Sequence, residues 1–230
     1  MDRINRPKLH YYNLGVAKIE EIRASKMRPR LLLHSCCAPC NSYVMVMLSE
    51  VFDVTLLYNN SNIYPKSEYT IRFDELKAYT EHVNEKYNCN IKIVEVNYDT
   101  ISYHKKLAQV NDDKEGGLRC QTCYEIRMDE AYGYALENDF DYFTTVMSIS
   151  VHKNSIILNE IGEHLNQKYQ SNLYLFSDFK KKDGLLKSKQ FSDDFKMYRQ
   201  QYCGCAYSYS AYLKRGNNEK SNVQKTNITN

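Results

Sequence analysis

Seven of the eight cysteines in this chain fall into three short groups. Cys36, Cys37 and Cys40 lie in "HSCCAPC", Cys120 and Cys123 in "RCQTC", and Cys203 and Cys205 in "YCGCA". A core that needs only small hydrophobes would not cluster thiols in this way, so the pattern points to metal or redox chemistry. The compartment supports that reading. The opening "MDRINRPKLHYYNLGVAKIEEIRASK" is polar and lacks the apolar segment of a signal peptide, and no apolar run approaches the roughly 20 residues that span a bilayer. A cytoplasmic protein with no membrane partner is expected. In a reducing cytosol grouped cysteines bind metal or exchange electrons more often than they form structural disulfides.

Each group suits a particular task. A C-x-x-C pair at the start of a helix brings two thiolates to one metal or cluster, and the helix N-terminus lowers thiol pKa. Together with the first group it offers five thiolates, and four suffice for a structural zinc or an iron–sulfur cluster. The five belong to a large domain with a core of its own, which favours an iron–sulfur or catalytic metal site over a structural zinc. Cys203 and Cys205 are separated only by Gly204. Their Cα atoms should lie about 5.5 to 7 Å apart, at the edge of disulfide range. A bridge there would be strained and therefore redox-labile; a ligand pair for a second metal is the alternative. Cys89 stands alone and reads as an ordinary residue. His34 reads as a core histidine, and "NNSNIYP" (59–65) as a polar loop whose Asn and Tyr side chains could reach a ligand. Gly116 and Gly117 should allow a tight turn before Cys120.

The elements that position these groups alternate. Short β-branched and apolar segments at 30–35, 53–59, 90–97, 141–147 and 172–177 read as strands. Between them, 67–87 carries Tyr69, Phe73, Leu76, Thr80, Val83 and Tyr87 on one helical face, and 122–139 and 155–169 also read as helices. Alternation of this kind predicts an α/β fold, a parallel sheet flanked by helices. Ligands of such sheets bind beyond the carboxyl ends of the strands, and strand 1 ends at Ser35, immediately before the first cysteines. Residues 1–29 form an N-terminal extension, irregular or helical. Residues 30–215 form a single α/β domain, and the tail 216–230, poor in apolar residues, is expected to be disordered.

Charge is uneven although the formal net charge is only +3. Residues 178–215 hold nine lysines and arginines against four aspartates, interleaved with Tyr198, Tyr202, Tyr207, Tyr209 and Tyr212. Cations for phosphates and rings for unstacked bases suit single-stranded RNA loops; a solvated basic face is the plainer reading.

Taken in order, "HSCCAPC", "YNNSNIYP", "GGLRCQTCYEIRMDEA", "DYFTTVMSIS", "SDFKKKDG" and "YRQQYCGC" resemble the successive motifs of the non-cobalamin epoxyqueuosine reductase (QueH) family, from about Leu31 to Ser208. The resemblance implies an enzyme of tRNA modification. It would remove the epoxide oxygen of epoxyqueuosine in the tRNA anticodon by two-electron reduction, giving queuosine. It also implies a 4Fe–4S cluster, possession by some members of a second mononuclear metal (Fe or Zn), and a sheet like that of the adenine-nucleotide-hydrolase (HUP, Rossmann-like) superfamily. Cysteines stand where that superfamily has its phosphate loop, so ATP use is not expected. Carried over by position, the cluster ligands are Cys36, Cys37, Cys120 and Cys123, and Cys203 with Cys205 is the redox-active pair. Cys40 is an alternative cluster ligand or a ligand of the second metal: neighbouring side chains in an extended segment point apart, so Cys37 with Cys40 could hold the cluster while Cys36 faces the second metal. Partners would be the tRNA anticodon stem-loop and an external electron donor. Tyr64, Asp178 and Tyr202 are candidate proton donors. Two other classes compete: a zinc-stabilised RNA-binding protein without catalysis, and a thiol–disulfide oxidoreductase acting on proteins.

Overall fold

A computed structural model describes residues 7–111 and 114–215. The chain runs α1 (His10–Ser25), β1 (Arg30–His34), α2 (Ala38–Ser49), β2 (Asp53–Tyr58), α3 (Lys66–Tyr87), β3 (Lys92–Glu95), α4 (Thr100–Leu107), α5 (Leu118–Glu137), β4 (Tyr142–Thr145), a 3-10 turn (Val146–Ile149), α6 (Ser155–Lys168) and α7 (Gly184–Asp194). A last helical run covers 206–215. The expected disorder of 216–230 lies outside the described residues.

The four strands form one parallel sheet in the order β3-β2-β1-β4. Both faces are covered, which is why β1 reads as an unbroken apolar run rather than an alternating one. Side chains still alternate in direction. Leu31 and Leu33 join the core shared with α2 and α3, while Leu32 joins the core shared with α5 and α6. Val54, Leu56 and Tyr58 on β2 go with the first core and Leu57 with the second.

The sequence face on α3 holds for Tyr69, Leu76, Thr80 and Val83, all buried, but Tyr87 at its end is exposed. The strand expected at 172–177 is reduced to a single parallel bridge, Phe143 to Tyr174. Side chains take the backbone groups that further rungs would use: Asn159 both donates to the carbonyl of Ser177 and accepts from its N–H, and Thr144 Oγ1 donates to the carbonyl of Leu175. The apolar spacing in the sequence does not predict helices α2, α4 and α7. Helix α2 shows no periodic stripe because it lies between the sheet and α7, so its apolar residues surround it. None of the helices among the described residues is long and apolar enough to cross a membrane.

Candidate active site

The first thiol group occupies the step from β1 to α2. Cys37 is the extended N-cap residue of α2 and Cys40 sits in its first turn. The sulfurs of Cys36, Cys37 and Cys40 all lie within 4.8 Å of one another, and Cys36 and Cys37 Sγ are 3.7 Å apart. The helix N-terminus favours negative charge at this place. Hydrogen bonds from Cys37 and Cys40 hold Cys36 well below the usual thiol range. The same bonds and burial push Cys37 up to about 12 and raise Cys40.

A polar frame fixes this loop. Ser35 Oγ donates to Asn41 Oδ1 at 2.9 Å, and Asn41 Nδ2 donates to the Cys37 carbonyl at 2.8 Å. Asn60 Nδ2 donates to the Ser35 carbonyl at 2.8 Å. Gln200 Nε2 approaches Cys37 Sγ at 3.4 Å. Asn60 comes from the loop after β2, so that polar loop is buried structure rather than a solvated turn.

The second group opens α5. Gly116, in the left-handed region at φ +82°, aims its N–H at Cys120 Sγ across 3.2 Å, so the tight turn expected there is made at this residue. Burial pushes Cys123 up to about 11 and also raises Cys120. Cys203 and Cys205 add a smaller electrostatic push in the same direction on both.

Two cations feel the charge of these groups, Arg127 that of all three and Lys153 that of the first and third. Arg127, buried and one helical turn beyond Cys123, donates through Nη2 to Asn60 Oδ1 at 2.6 Å. Burial opposes its charge, but Cys123 and Cys36 outweigh that and its pKa is raised, with Cys203 adding to the effect. Lys153 behaves alike: burial opposes its charge, and Cys203, Cys36 and Cys40 raise its pKa. The attraction is mutual, so these cations also favour the thiolates. Arg127, Lys153, Gln200 and Arg72 escaped sequence reasoning. The i to i+4 spacing of Cys123 and Arg127 was the one available signal.

The third group is a turn held by Arg72. Its Nη1 and Nη2 donate to the carbonyls of Cys203 and Tyr202 at 3.0 and 3.1 Å, while Nε pairs with Glu68 at 2.8 Å in a buried bridge. Gly204 adopts φ +128°, and a Cβ there would lie 3.0 Å from Arg72 Nη1. Cys203 and Cys205 are both free thiols in this structure.

Other candidates fall as follows. His34 is buried, with Nδ1 2.7 Å from Thr145 Oγ1 and Nε2 without a partner, so it is a core histidine only half satisfied. Tyr202 donates its hydroxyl to the Tyr64 carbonyl at 2.7 Å, and burial raises its pKa. Asp178 accepts from Ser155 Oγ at 2.9 Å and lies near Lys180 and Lys181. The ring of Tyr64 is exposed and meets Tyr209 edge-on. Cys89 contacts Ser49 Oγ, away from the three groups.

Soft thiolates in this number fit an iron–sulfur cluster or a thiophilic ion. Comparison with known proteins then gives a single family: the model of epoxyqueuosine reductase QueH matches residues 31–211. The chain belongs to the QueH family. The match begins with β1 and includes all three thiol groups. An epoxyqueuosine reductase QueH of Staphylococcus aureus is 36% identical over 210 residues, 90% of this chain and 87% of the relative. That of Streptococcus pyogenes is 37% identical over 193 residues, 84% and 74% of the two chains. That of Staphylococcus epidermidis is 34% identical over 216 residues, 93% and 89%. The QueH resemblance of the cysteine motifs is thereby borne out, and in this QueH chain the trio Cys36, Cys37 and Cys40 is the thiol group whose sulfurs lie together among the described residues, just beyond the carboxyl end of β1.

Proposed function

We propose that this chain reduces epoxyqueuosine in the tRNA anticodon to queuosine. The observation that carries the reading is the compact thiol trio Cys36, Cys37 and Cys40 at the start of α2 in a member of the QueH family. The overall change consumes the epoxide, two electrons and two protons, and releases the alkene and water.

Cys36, Cys37, Cys120 and Cys123 are the residues that would hold a 4Fe–4S cluster, with Cys40 as an alternative ligand to it or to a second metal, iron or zinc. Bound there, such a cluster supplies single-electron transfer, and a metal with an open position supplies a Lewis acid for oxygen. The chain's own residues do the rest. Arg127 and Lys153 stabilise the negative charge of the thiolates. Cys203 and Cys205, as a dithiol, hold the two electrons and two protons that the reduction needs, and become a disulfide in giving them up. An external donor returns the pair to the dithiol. Arg72 holds the backbone of that turn through the carbonyls of Cys203 and Tyr202.

The basic, tyrosine-rich segment 178–215 would engage the anticodon stem-loop; Tyr207 and Tyr212 are partly exposed there, the first with one face against Arg119 and the second stacked on Tyr202. The test is incubation of oxygen-free protein, a chemical reductant and epoxyqueuosine stem-loop RNA, followed by nucleoside mass analysis. Loss of the mass of one oxygen supports the reading; unchanged epoxyqueuosine in the presence of a loaded metal site rejects it.

The compact trio Cys36, Cys37 and Cys40 also suits three of the four ligands of a zinc. An RNA-binding protein with a zinc and no catalysis is the second reading, and zinc without iron or sulfide would favour it.

A further inference from the structure

Apart from the thiol centre, the chain has a cleft of about 270 Å³ between α1, α2, α7 and the segment that leads into α7. Its walls carry two kinds of group. Tyr12, Tyr43 and Phe176 line it with half-buried rings, and Lys181, Lys182 and Lys187 bring three ammonium groups to it. Lys181 is partly neutralised by Asp178 at 3.8 Å. Lys187 instead lies over the ring of Tyr43, 5.0 Å from its centroid, and neither Lys182 nor Lys187 makes an ion pair among the described residues. Helix α7 starts between them at Gly184, which adds the positive end of its dipole.

A ligand that uses both walls must offer a flat ring and an anion within one small unit. A nucleoside phosphate does so, with its base against tyrosine and its phosphate among lysines. The place of the cleft identifies the source. Tyr43 follows Cys40 by three residues on α2, less than one helical turn, so the cleft adjoins the thiol centre along one helix. Helix α1, which supplies Tyr12, lies before the matched residues 31–211.

We propose that this cleft is a second RNA subsite, holding a nucleotide of the substrate strand other than the one at the thiols. The inference rests on the tRNA reading above. Lys182 and Lys187 take the phosphate, Tyr12 and Tyr43 take the base, and the subsite sets the register of the strand across the thiol centre.

The experiment measures binding of a labelled anticodon stem-loop by fluorescence anisotropy over a salt series. Lys182→Ala and Lys187→Ala should each weaken binding about three- to tenfold and flatten the salt dependence by about 0.7 in logarithmic slope, the value for one phosphate contact on a single strand. Tyr12→Ala should weaken binding about fivefold or more with an unchanged slope, as for a lost stacking contact. Lys77→Ala, an exposed lysine paired with Asp74 on α3, controls for loss of charge and should leave affinity and slope as they were. Wild-type affinity and slope in both cleft lysine variants would overturn the proposal while leaving the reductase reading intact. Guanosine monophosphate separates the two sources of a nucleoside phosphate. If it shifts the NMR signals of cleft residues, in a way lost on Lys182→Ala, yet does not compete with the stem-loop, the cleft serves a free nucleotide and the RNA assignment is wrong. Absence of any stem-loop binding by the wild-type protein would remove the tRNA reading and the subsite together.

Discussion

Arg72 Nη1 donates to the carbonyl oxygen of Cys203 at 3.0 Å. This bond ties a buried ion pair on α3 to the backbone of the C-G-C turn, although the two lie 131 residues apart. Glu68 receives Arg72 on one carboxylate oxygen and the hydroxyl of Tyr198 on the other. The turn is thus positioned from the scaffold rather than by its own short loop.

Removal of that cation should be costly in two ways. Arg72→Leu leaves Glu68 buried and unpaired, and a loss of about 3–5 kcal/mol is expected in urea denaturation. Arg72→Lys keeps a charge but cannot reach Glu68 and two carbonyls together. It should fold, retain the wild-type iron content and turn over at least tenfold more slowly. Full turnover in Arg72→Lys would show that the turn needs no such positioning.

Gly204 cannot be exchanged freely. At φ +128° a side chain is strained, and its Cβ would press on Arg72 Nη1. Gly204→Ala should lose about 1–3 kcal/mol of stability. Reductase activity should fall much further than stability, because the strain displaces Cys203 and Cys205 relative to α5. Equal titration of free thiols in the two proteins would confirm that both cysteines remain present and reduced.

Much of this was visible in the sequence, for definable reasons. The thiol groups announce themselves because cysteine is rare and their spacing is tight. Helix α3 announces itself because Tyr69, Leu76, Thr80 and Val83 face one core at helical spacing. Helix α2 does not, since Val44, Met45 and Leu48 are buried on a helix whose other sides are also covered. Arg127 and Lys153 are equally hidden: in sequence a cation looks solvent-exposed until the fold supplies thiolates that justify its burial. The segment 172–177 has strand composition, yet Asn159 and Thr144 decide that it makes only one rung.

Acid should weaken the fold through His34. Burial, then the nearby Arg127 charge, hold its pKa well below 6.5, so the folded protein keeps it neutral. The unfolded chain takes up the proton near pH 6.5. The stabilisation is therefore complete above that pH and is lost as pH falls towards the folded pKa, with a slope of up to about 1.4 kcal/mol per pH unit for one proton. Denaturation midpoints of the metal-free protein between pH 7 and pH 5, as a rough window around the histidine range, should fall. His34→Asn, which does not titrate, should flatten that fall; an unchanged slope would place the proton elsewhere.

Cys120→Ala removes one thiolate of the C-x-x-C pair while leaving the compact trio on α2 whole. Loss of the brown colour and of all turnover is expected, with the protein still folded by circular dichroism. Retention of full colour and activity would take Cys120 out of the ligand set and leave Cys40 as its replacement.

The most direct measurement of the central claim, that the three thiol groups make one redox centre, is the iron and acid-labile sulfide content of protein purified without oxygen, read with its visible spectrum. About four of each per chain, with absorbance near roughly 400 nm, is the expected result for a cluster on four thiolates. A colourless protein that holds zinc alone would contradict it.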